Sequence, residues 1–352
     1  MPHYSIAEMI GQLFLIGFEG NTLSKNHPTT EDIVKRNLGG VILFDKLLAK
    51  KLPSNNIVTP AQVAGLTSYL QNMAEGNLLI TVDQEGGMVG RLKEQHGFAP
   101  TPGAETLGNG PDPEETTRAG RQVARMLSTH GINFNLAPVV DLNIFPQNPI
   151  IGAYGRSFSE NPNIVFKNTV RWIAAHRQEG VLSCVKHFPG HGSSRSDSHL
   201  GFVDISNSWN KVELQPYQDL VGIGYNEAIM VGHLFNSHFD EYHPATLSRS
   251  TVHEILRSEL GYSGLIVSDD MQMRAITDRY GLAEACCKAI AAGIDLLIIG
   301  NNLCHDPHIF EKLQQAVLKA VDTGDLSPER IEEAWRQVQK FKLLRKTYNG
   351  SE

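Results

Sequence analysis

Eight short apolar runs recur along this 352-residue chain, most followed by an amphipathic stretch of helical period, and this alternation constrains the fold more than any other feature. The runs occupy residues 13–18, 40–44, 78–83, 133–138, 181–187, 228–233, 265–269 and 295–300. Most are continuously hydrophobic, the pattern of parallel strands covered on both faces. Helical stretches at 60–75, 112–129, 161–178, 250–260 and 283–292 fall between them, and Gly180, Gly261 and Gly293 stand as C-terminal stops. Strand-to-strand spacings of roughly 25–55 residues leave room for one helix per crossover, so the expected fold is α/β, a (β/α)8 TIM-type barrel. A doubly wound sheet is the runner-up, weakened because no Gly-rich dinucleotide fingerprint follows an early run. Residues 303–347 read as a C-terminal helical extension whose last helix opens at Ser327-Pro328-Glu329-Arg330, with Ser327 as N-cap. No repeat or hydrophilic linker divides the chain, so residues 1–352 are expected to form a single domain.

Composition excludes several partners. Lys plus Arg number 31 against 38 Asp plus Glu, a net charge of -7, which gives no electrostatic footprint for nucleic acid or an anionic membrane. No apolar run approaches the ~18 residues of a membrane span, and residues 1–20 lack a basic segment and a cleavage site. The four cysteines (Cys184, Cys286, Cys287, Cys304) show no C-x-x-C spacing and read as thiols of a reducing compartment. A soluble cytoplasmic protein is the expectation. Oligomeric state is not legible in the sequence, and a monomer is compatible with it.

In such a barrel, functional groups lie at the C-terminal strand ends and in the loops after them. Asp83 ends the third run and Asp141 follows the fourth; Lys186 and His187 end the fifth, His233 the sixth and Asp269 the seventh, and Asn301 follows the eighth. The richest segment is Lys186-His187-Phe188-Pro189-Gly190-His191-Gly192 with Asp197-Ser198-His199 close behind, where Pro189, Gly190 and Gly192 preclude a helix. Asp197 and His199 are two residues apart, and a carboxylate bonded to an imidazole fixes its tautomer and raises its basicity. Asp269 can attack an anomeric carbon, bind a metal or cap a helix, and helix capping is the bland reading of its neighbour Asp270. For Arg91 the bland reading is a structural ion pair.

Three chemistries compete for this rim. A metal site would use His187-x-x-x-His191, although Pro189 and Gly190 break the helical register such a pair needs. A Schiff-base aldolase would use Lys186. Glycoside hydrolysis would use Asp269 as nucleophile and His199 as proton donor.

The motifs resemble glycoside hydrolase family 3, and within it the compact, single-barrel bacterial β-N-acetylglucosaminidases. They are Ile10-Gly11-Gln12-Leu13-Phe14, Gly39-Gly40-Val41-Ile42-Leu43-Phe44, Asp83-Gln84-Glu85-Gly86-Gly87-x-Val89-x-Arg91 and Asn135-Leu136-Ala137-Pro138-Val139-x-Asp141. Gly155-Arg156-Ser157-Phe158-Ser159, the Lys186–Gly192 and Asp197-Ser198-His199 segments, Met230-Val231-x-His233, Pro244-Ala245-Thr246-Leu247-Ser248 and Ser268-Asp269-Asp270-Met271 complete the set. The resemblance implies a retaining exo-β-N-acetylglucosaminidase acting on a small GlcNAc-containing oligosaccharide or muropeptide in peptidoglycan recycling. It implies Asp269 as the nucleophile, His199 as acid/base with Asp197 as its partner, and a sugar subsite of Asp83, Arg91, Arg156, Lys186 and His187. It implies neither cofactor nor metal. Asp141 and His233 are expected to stand behind the sugar-binding groups.

A histidine in place of the second carboxyl group, which retaining glycosidases usually hold ~5 Å from the first, repels an anion less. Phosphate could then replace water, which keeps a retaining phosphorylase or a β-glucosidase as alternatives, and an inactive sugar-binding barrel as one of another class. The Gly/Ser-rich loop before His199 is expected to be mobile, and Leu200-Gly201-Phe202-Val203 lacks a proline common in relatives, which puts its closure in question. The site for the leaving group is expected from residues 146–154 and 235–243.

Overall fold

The computed structural model describes residues 4–198 and 200–349. Eight parallel strands close into a barrel: β1 (Phe14–Gly17), β2 (Gly40–Ile42), β3 (Leu79–Val82), β4 (Phe134–Asn135), β5 (Leu182–Phe188), β6 (Ala228–Val231), β7 (Leu265–Asp270) and β8 (Leu296–Ile299). Each pairs with its sequence neighbours, and β1 closes on β8 with Phe14 opposite Leu297. All eight apolar runs thus became strands, and almost every residue in them is buried because helices cover the outside and side chains fill the inside. Where β1 and β8 end, the backbones approach so closely that a Cβ on Gly17 would collide with the Gly300 carbonyl, so only glycine fits there.

The crossover helices begin where capping chemistry permits. Thr59 caps Pro60–Met73 through its hydroxyl, and Asn161 caps Pro162–Gln178, each with proline in the first turn. Glu114–Thr129 starts two residues later than its acidic first turn suggests, because the Asp112 carboxylate accepts the Glu114 N–H from outside the helix. The π-type helix Ser250–Glu259 occupies the segment expected to be helical after β6.

The last helix, Pro328–Asn349, opens as expected, with the Arg330 N–H donated to the Ser327 hydroxyl at 3.2 Å. Ile331, Ala334, Val338 and Phe341 face the core, and Phe341 meets Phe134 of β4 edge to face. Lys342 from the same helix is buried and donates to Gln12 Oε1 and the Asn77 carbonyl, both at 2.7 Å. Among the described residues no helix is long and apolar enough to cross a membrane.

Candidate active site

The C-terminal strand ends surround a cavity of about 490 Å³. Its floor is a chain of alternating charges. Lys186, near the end of β5, places Nζ 2.9 Å from Asp83 Oδ1 and 2.7 Å from Glu85 Oε1. Arg91 reaches the other Asp83 oxygen at 3.3 Å, and Arg156 grips Glu85 with two parallel bonds of 2.8 Å. The ion pair expected as the bland reading of Arg91 therefore exists, yet its partner is itself a cavity-lining group. Asp83 and Glu85 face each other across Lys186 because residues 84–90 turn back as a small hairpin, with Gln84 Oε1 accepting the Arg91 and Leu92 N–H groups.

Charge decides the protonation of this floor. Burial pushes the Glu85 carboxyl up, but Arg156 and Lys186 outweigh it and hold it well below the usual carboxylate range. Asp83 is likewise held below its ordinary value against burial by Lys186 and Arg91. Burial pulls Lys186 down, yet Asp83 and Glu85 hold it above its ordinary value. An ammonium fixed by two carboxylates is a poor Schiff-base nucleophile, which must be neutral to attack.

Asp141, buried after β4, organises the start of the fifth loop. Its carboxylate accepts the His187 ring at Nδ1 (2.7 Å) and the backbone N–H groups of His187 and His191 (3.1 and 2.8 Å). Burial raises the Asp141 carboxyl and His187 more than offsets it, so the group sits below its ordinary value. With Nδ1 protonated towards Asp141, His187 turns Nε2 to the Arg156 guanidinium, 3.4 Å away. This suits a hydrogen-bonding imidazole, and the neighbouring cation disfavours a metal ion there. Burial and the nearby His187 push His191 down to about 4, so it is a neutral ring in the loop wall.

On the opposite wall, β7 ends in Asp269 and Asp270, and both line the cavity. Their environments differ. The Asp270 carboxylate accepts the Gln272 and Gly300 N–H groups at 3.0 and 2.9 Å, tying the turn after β7 to the end of β8. Asp269 Oδ1 accepts the Asp270 N–H at 2.8 Å. His233 supports the pair from behind, bonding the Asp270 carbonyl through Nε2 (2.9 Å) and the Thr246 hydroxyl through Nδ1 (2.8 Å).

Asp197 and Ser198 also line the cavity, whereas His199 lies outside the described residues. The loop leading to them is docked at several points. The Ser198 carbonyl accepts the Ala275 N–H at 3.3 Å, which joins it to the segment that follows β7. Beyond Gly201, the Arg279 guanidinium lies 3.6 Å above the Phe202 ring, which packs on Phe235, so the loop exit is held without the missing proline.

The structure thus brings Asp83, Arg91, Arg156, Lys186, His187, Asp197 and Asp269 to one cavity. Glu85 was missed by sequence reasoning as a separate group. Its neighbour in the charge chain, Arg156, lies 71 positions away, so no local spacing marks it. Around the mouth, Ile150 and Tyr154 contribute as expected, but no residue of 235–243 does; Lys46 and Leu48 after β2 and Asn302 and Leu303 after β8 take that place. The reason is geometric: residues 234–235 pair with 203–204 in a small sheet of their own.

Residues 5–341 match the glycosyl hydrolase family 3 N terminal domain. The chain belongs to this family. It is 30% identical over 339 residues to beta-hexosaminidase A of Pseudoalteromonas piscicida, covering 90% of this chain and 55% of that protein. It is 32% identical over 322 residues to the beta-hexosaminidase of Tolumonas auensis, covering 89% and 90%. Among solved structures, a glycoside hydrolase family 3 beta-N-acetylglucosaminidase from Paenibacillus sp. superposes with a TM-score of 0.88 at 32% identity, covering 99% of this chain and 64% of that one. The beta-N-acetylhexosaminidase of Beutenbergia cavernae gives 0.83 at 28%, covering 97% and 99%. The chain therefore spans about half of the Pseudoalteromonas protein and nearly all of the Tolumonas and Beutenbergia proteins.

Proposed function

We propose that this family 3 barrel is a retaining exo-β-N-acetylglucosaminidase that releases terminal GlcNAc from small oligosaccharides or muropeptides. The observation that carries this reading is the shared cavity, lined by Asp269 on β7 and Asp197 of the fifth loop together with the charged group of Asp83, Arg91, Arg156, Lys186 and His187. A pocket floored by the Lys186–Glu85–Arg156 ion pairs suits a chain end better than a chain middle, which supports exo action. Asp83 and the unprotonated Nε2 of His187 accept hydrogen bonds from sugar hydroxyls, while Lys186, Arg91 and Arg156 donate to the remaining oxygens.

In the first step an Asp269 carboxylate oxygen bonds to C1 as the C1–O bond to the leaving group breaks, and His199 gives that oxygen its proton. Water then attacks C1, His199 takes its proton, and the C1–Asp269 bond breaks with retained configuration. Asp197 would hold the His199 ring and stabilise its cation. Asp270 suits the nucleophile's role less, since its carboxylate is already engaged by two backbone N–H groups. A cytoplasmic place in cell-wall recycling, with the chain acting as one catalytic barrel and its C-terminal helical extension, completes the proposal. The unbridged Cys184, Cys286, Cys287 and Cys304 are compatible with a reducing compartment.

The test is hydrolysis of p-nitrophenyl β-GlcNAc beside p-nitrophenyl β-glucoside, with and without phosphate, followed by trapping with a 5-fluoro glycosyl donor. Release from the GlcNAc donor and labelling of Asp269 are expected. GlcNAc-1-phosphate as product would make the protein a phosphorylase, and absence of both turnover and label would make it a binding protein.

A further inference from the structure

Glu213 lies outside the cavity and belongs to no motif considered above, yet it holds the root of the loop that carries Asp197 and His199. It is buried, 1% exposed, in the short helical turn Lys211–Leu214 that follows the loop. One carboxylate oxygen accepts the Ser193 hydroxyl at 2.5 Å and the other the Ser193 N–H at 3.3 Å. The same carboxylate accepts the Asn210 N–H at 3.3 Å, closing a capping box on its own turn. Gly190, at φ +118°, lies against it so closely that a Cβ there would meet the Glu213 Cβ at 2.5 Å. From the other side, Asn148 donates to the His191 and Gly192 carbonyls at 2.7 and 3.2 Å.

Among the described residues no cation pairs with Glu213, so burying its carboxyl is costly and is offset only by these hydrogen bonds. Burial outweighs the Ser193 hydrogen bonds and pushes the Glu213 carboxyl up to about 7. An amide there keeps one oxygen for the Ser193 hydroxyl and the Asn210 N–H and gives up only the 3.3 Å bond from the Ser193 N–H. Between this anchor and the tip, the connection is short. His191 Nε2 meets the Ser198 hydroxyl at 3.5 Å, and Ser198 sits between Asp197 and His199. Only four residues lie between Ser193 and Ser198, so a shift at the root is carried towards the tip, and proton transfer tolerates little displacement.

We infer that Glu213 is a positioning residue for proton donation, fixing through Ser193 the loop that delivers Asp197 and His199 to the leaving-group oxygen. The inference rests on the acid/base assignment proposed above. Its signature is selectivity for the leaving group. A donor that leaves as 2,4-dinitrophenolate needs no proton, whereas a sugar alcohol does. A general fold defect would slow both alike.

The experiment measures kcat/KM for 2,4-dinitrophenyl β-GlcNAc and for N,N′-diacetylchitobiose in wild type, Glu213→Leu, Glu213→Gln, Ser193→Ala and His199→Ala. Removing general acid assistance costs on the order of 10²-fold or more, and Glu213→Leu is expected to lose activity of that order on the disaccharide. On the dinitrophenyl donor the loss should stay within about 3-fold, and Glu213→Gln should remain close to wild type on both. Ser193→Ala carries the same test if Glu213→Leu does not fold. Equal losses on the two donors, or no loss on either, overturn the inference while His199→Ala is selective. If His199→Ala itself shows no selectivity, the acid/base assignment fails and the inference falls with it.

Discussion

The Lys186 ammonium lies 2.7 Å from the Glu85 carboxylate, and both side chains are nearly buried in the floor of the cavity. Lys186 is shared with Asp83, and Glu85 with Arg156, so one substitution strands more than one charge. Breaking a buried pair by removing one partner costs about 3–5 kcal/mol, mostly from the charge left behind. Glu85→Gln is therefore expected to lower stability by about 3 kcal/mol in equilibrium urea unfolding. A loss under about 1 kcal/mol would be that of an exposed pair and would mean that the charges left at the floor are well solvated from the cavity.

Asp269 and Asp270 are adjacent, yet their amides should behave differently. Asp269→Asn removes the proposed nucleophile and is expected to reduce kcat by on the order of 10⁴-fold or more, as losses of catalytic groups do. Asp270→Asn keeps one carbonyl oxygen for the Gln272 and Gly300 N–H groups, so it should cost about 1 kcal/mol of stability and retain measurable turnover. Turnover of p-nitrophenyl β-GlcNAc decides between them. Activity surviving in Asp269→Asn and lost in Asp270→Asn would exchange the two roles.

Legibility in the sequence followed burial. Strands buried on both faces must be apolar along their length, so eight runs marked eight strands, and a charged residue ending such a run had to belong to the rim. Asp83, Lys186, His187 and Asp269 were visible for that reason. Glu85 was not, because its importance comes from Arg156, delivered by a different loop. The mouth was half legible, since Tyr154 and Ile150 were expected but the contribution of Lys46, Leu48 and Leu303 depends on loop packing that no local pattern records. Glu213 carried no signal at all, being a capping-box glutamate like many others until its oxygens are seen on Ser193.

Arg156 joins two jobs that lysine cannot combine. Its planar fork makes two 2.8 Å bonds to Glu85, and Nη1 donates to the Ile150 carbonyl at 3.0 Å, which fixes the cavity wall carrying Ile150. A lysine keeps the charge and loses the fork. Arg156→Lys is expected to raise KM for GlcNAc donors roughly 10-fold, about 1.4 kcal/mol of lost binding, with a smaller change in kcat. An unchanged KM would mean that the guanidinium orders only the protein.

At the far end of the barrel, Lys342 makes stability depend on pH. Its amine is buried among neutral acceptors, Gln12 Oε1 and the Asn77 carbonyl, and burial pulls it down to about 7. An unfolded lysine titrates near ~10.4. Between these values the unfolded chain holds a proton that the folded chain does not, so stability rises with pH across that window. Below about 7 the folded state must bury an ammonium, and this contribution is at its least favourable. Lys342→Met abolishes the term while every other titrating group stays in place. The difference in urea midpoint between wild type and Lys342→Met is therefore expected to move in favour of wild type from pH 7 to pH 9. Parallel midpoints across that range would mean that Lys342 is charged in the folded protein, with its ammonium satisfied by the two acceptors and by water.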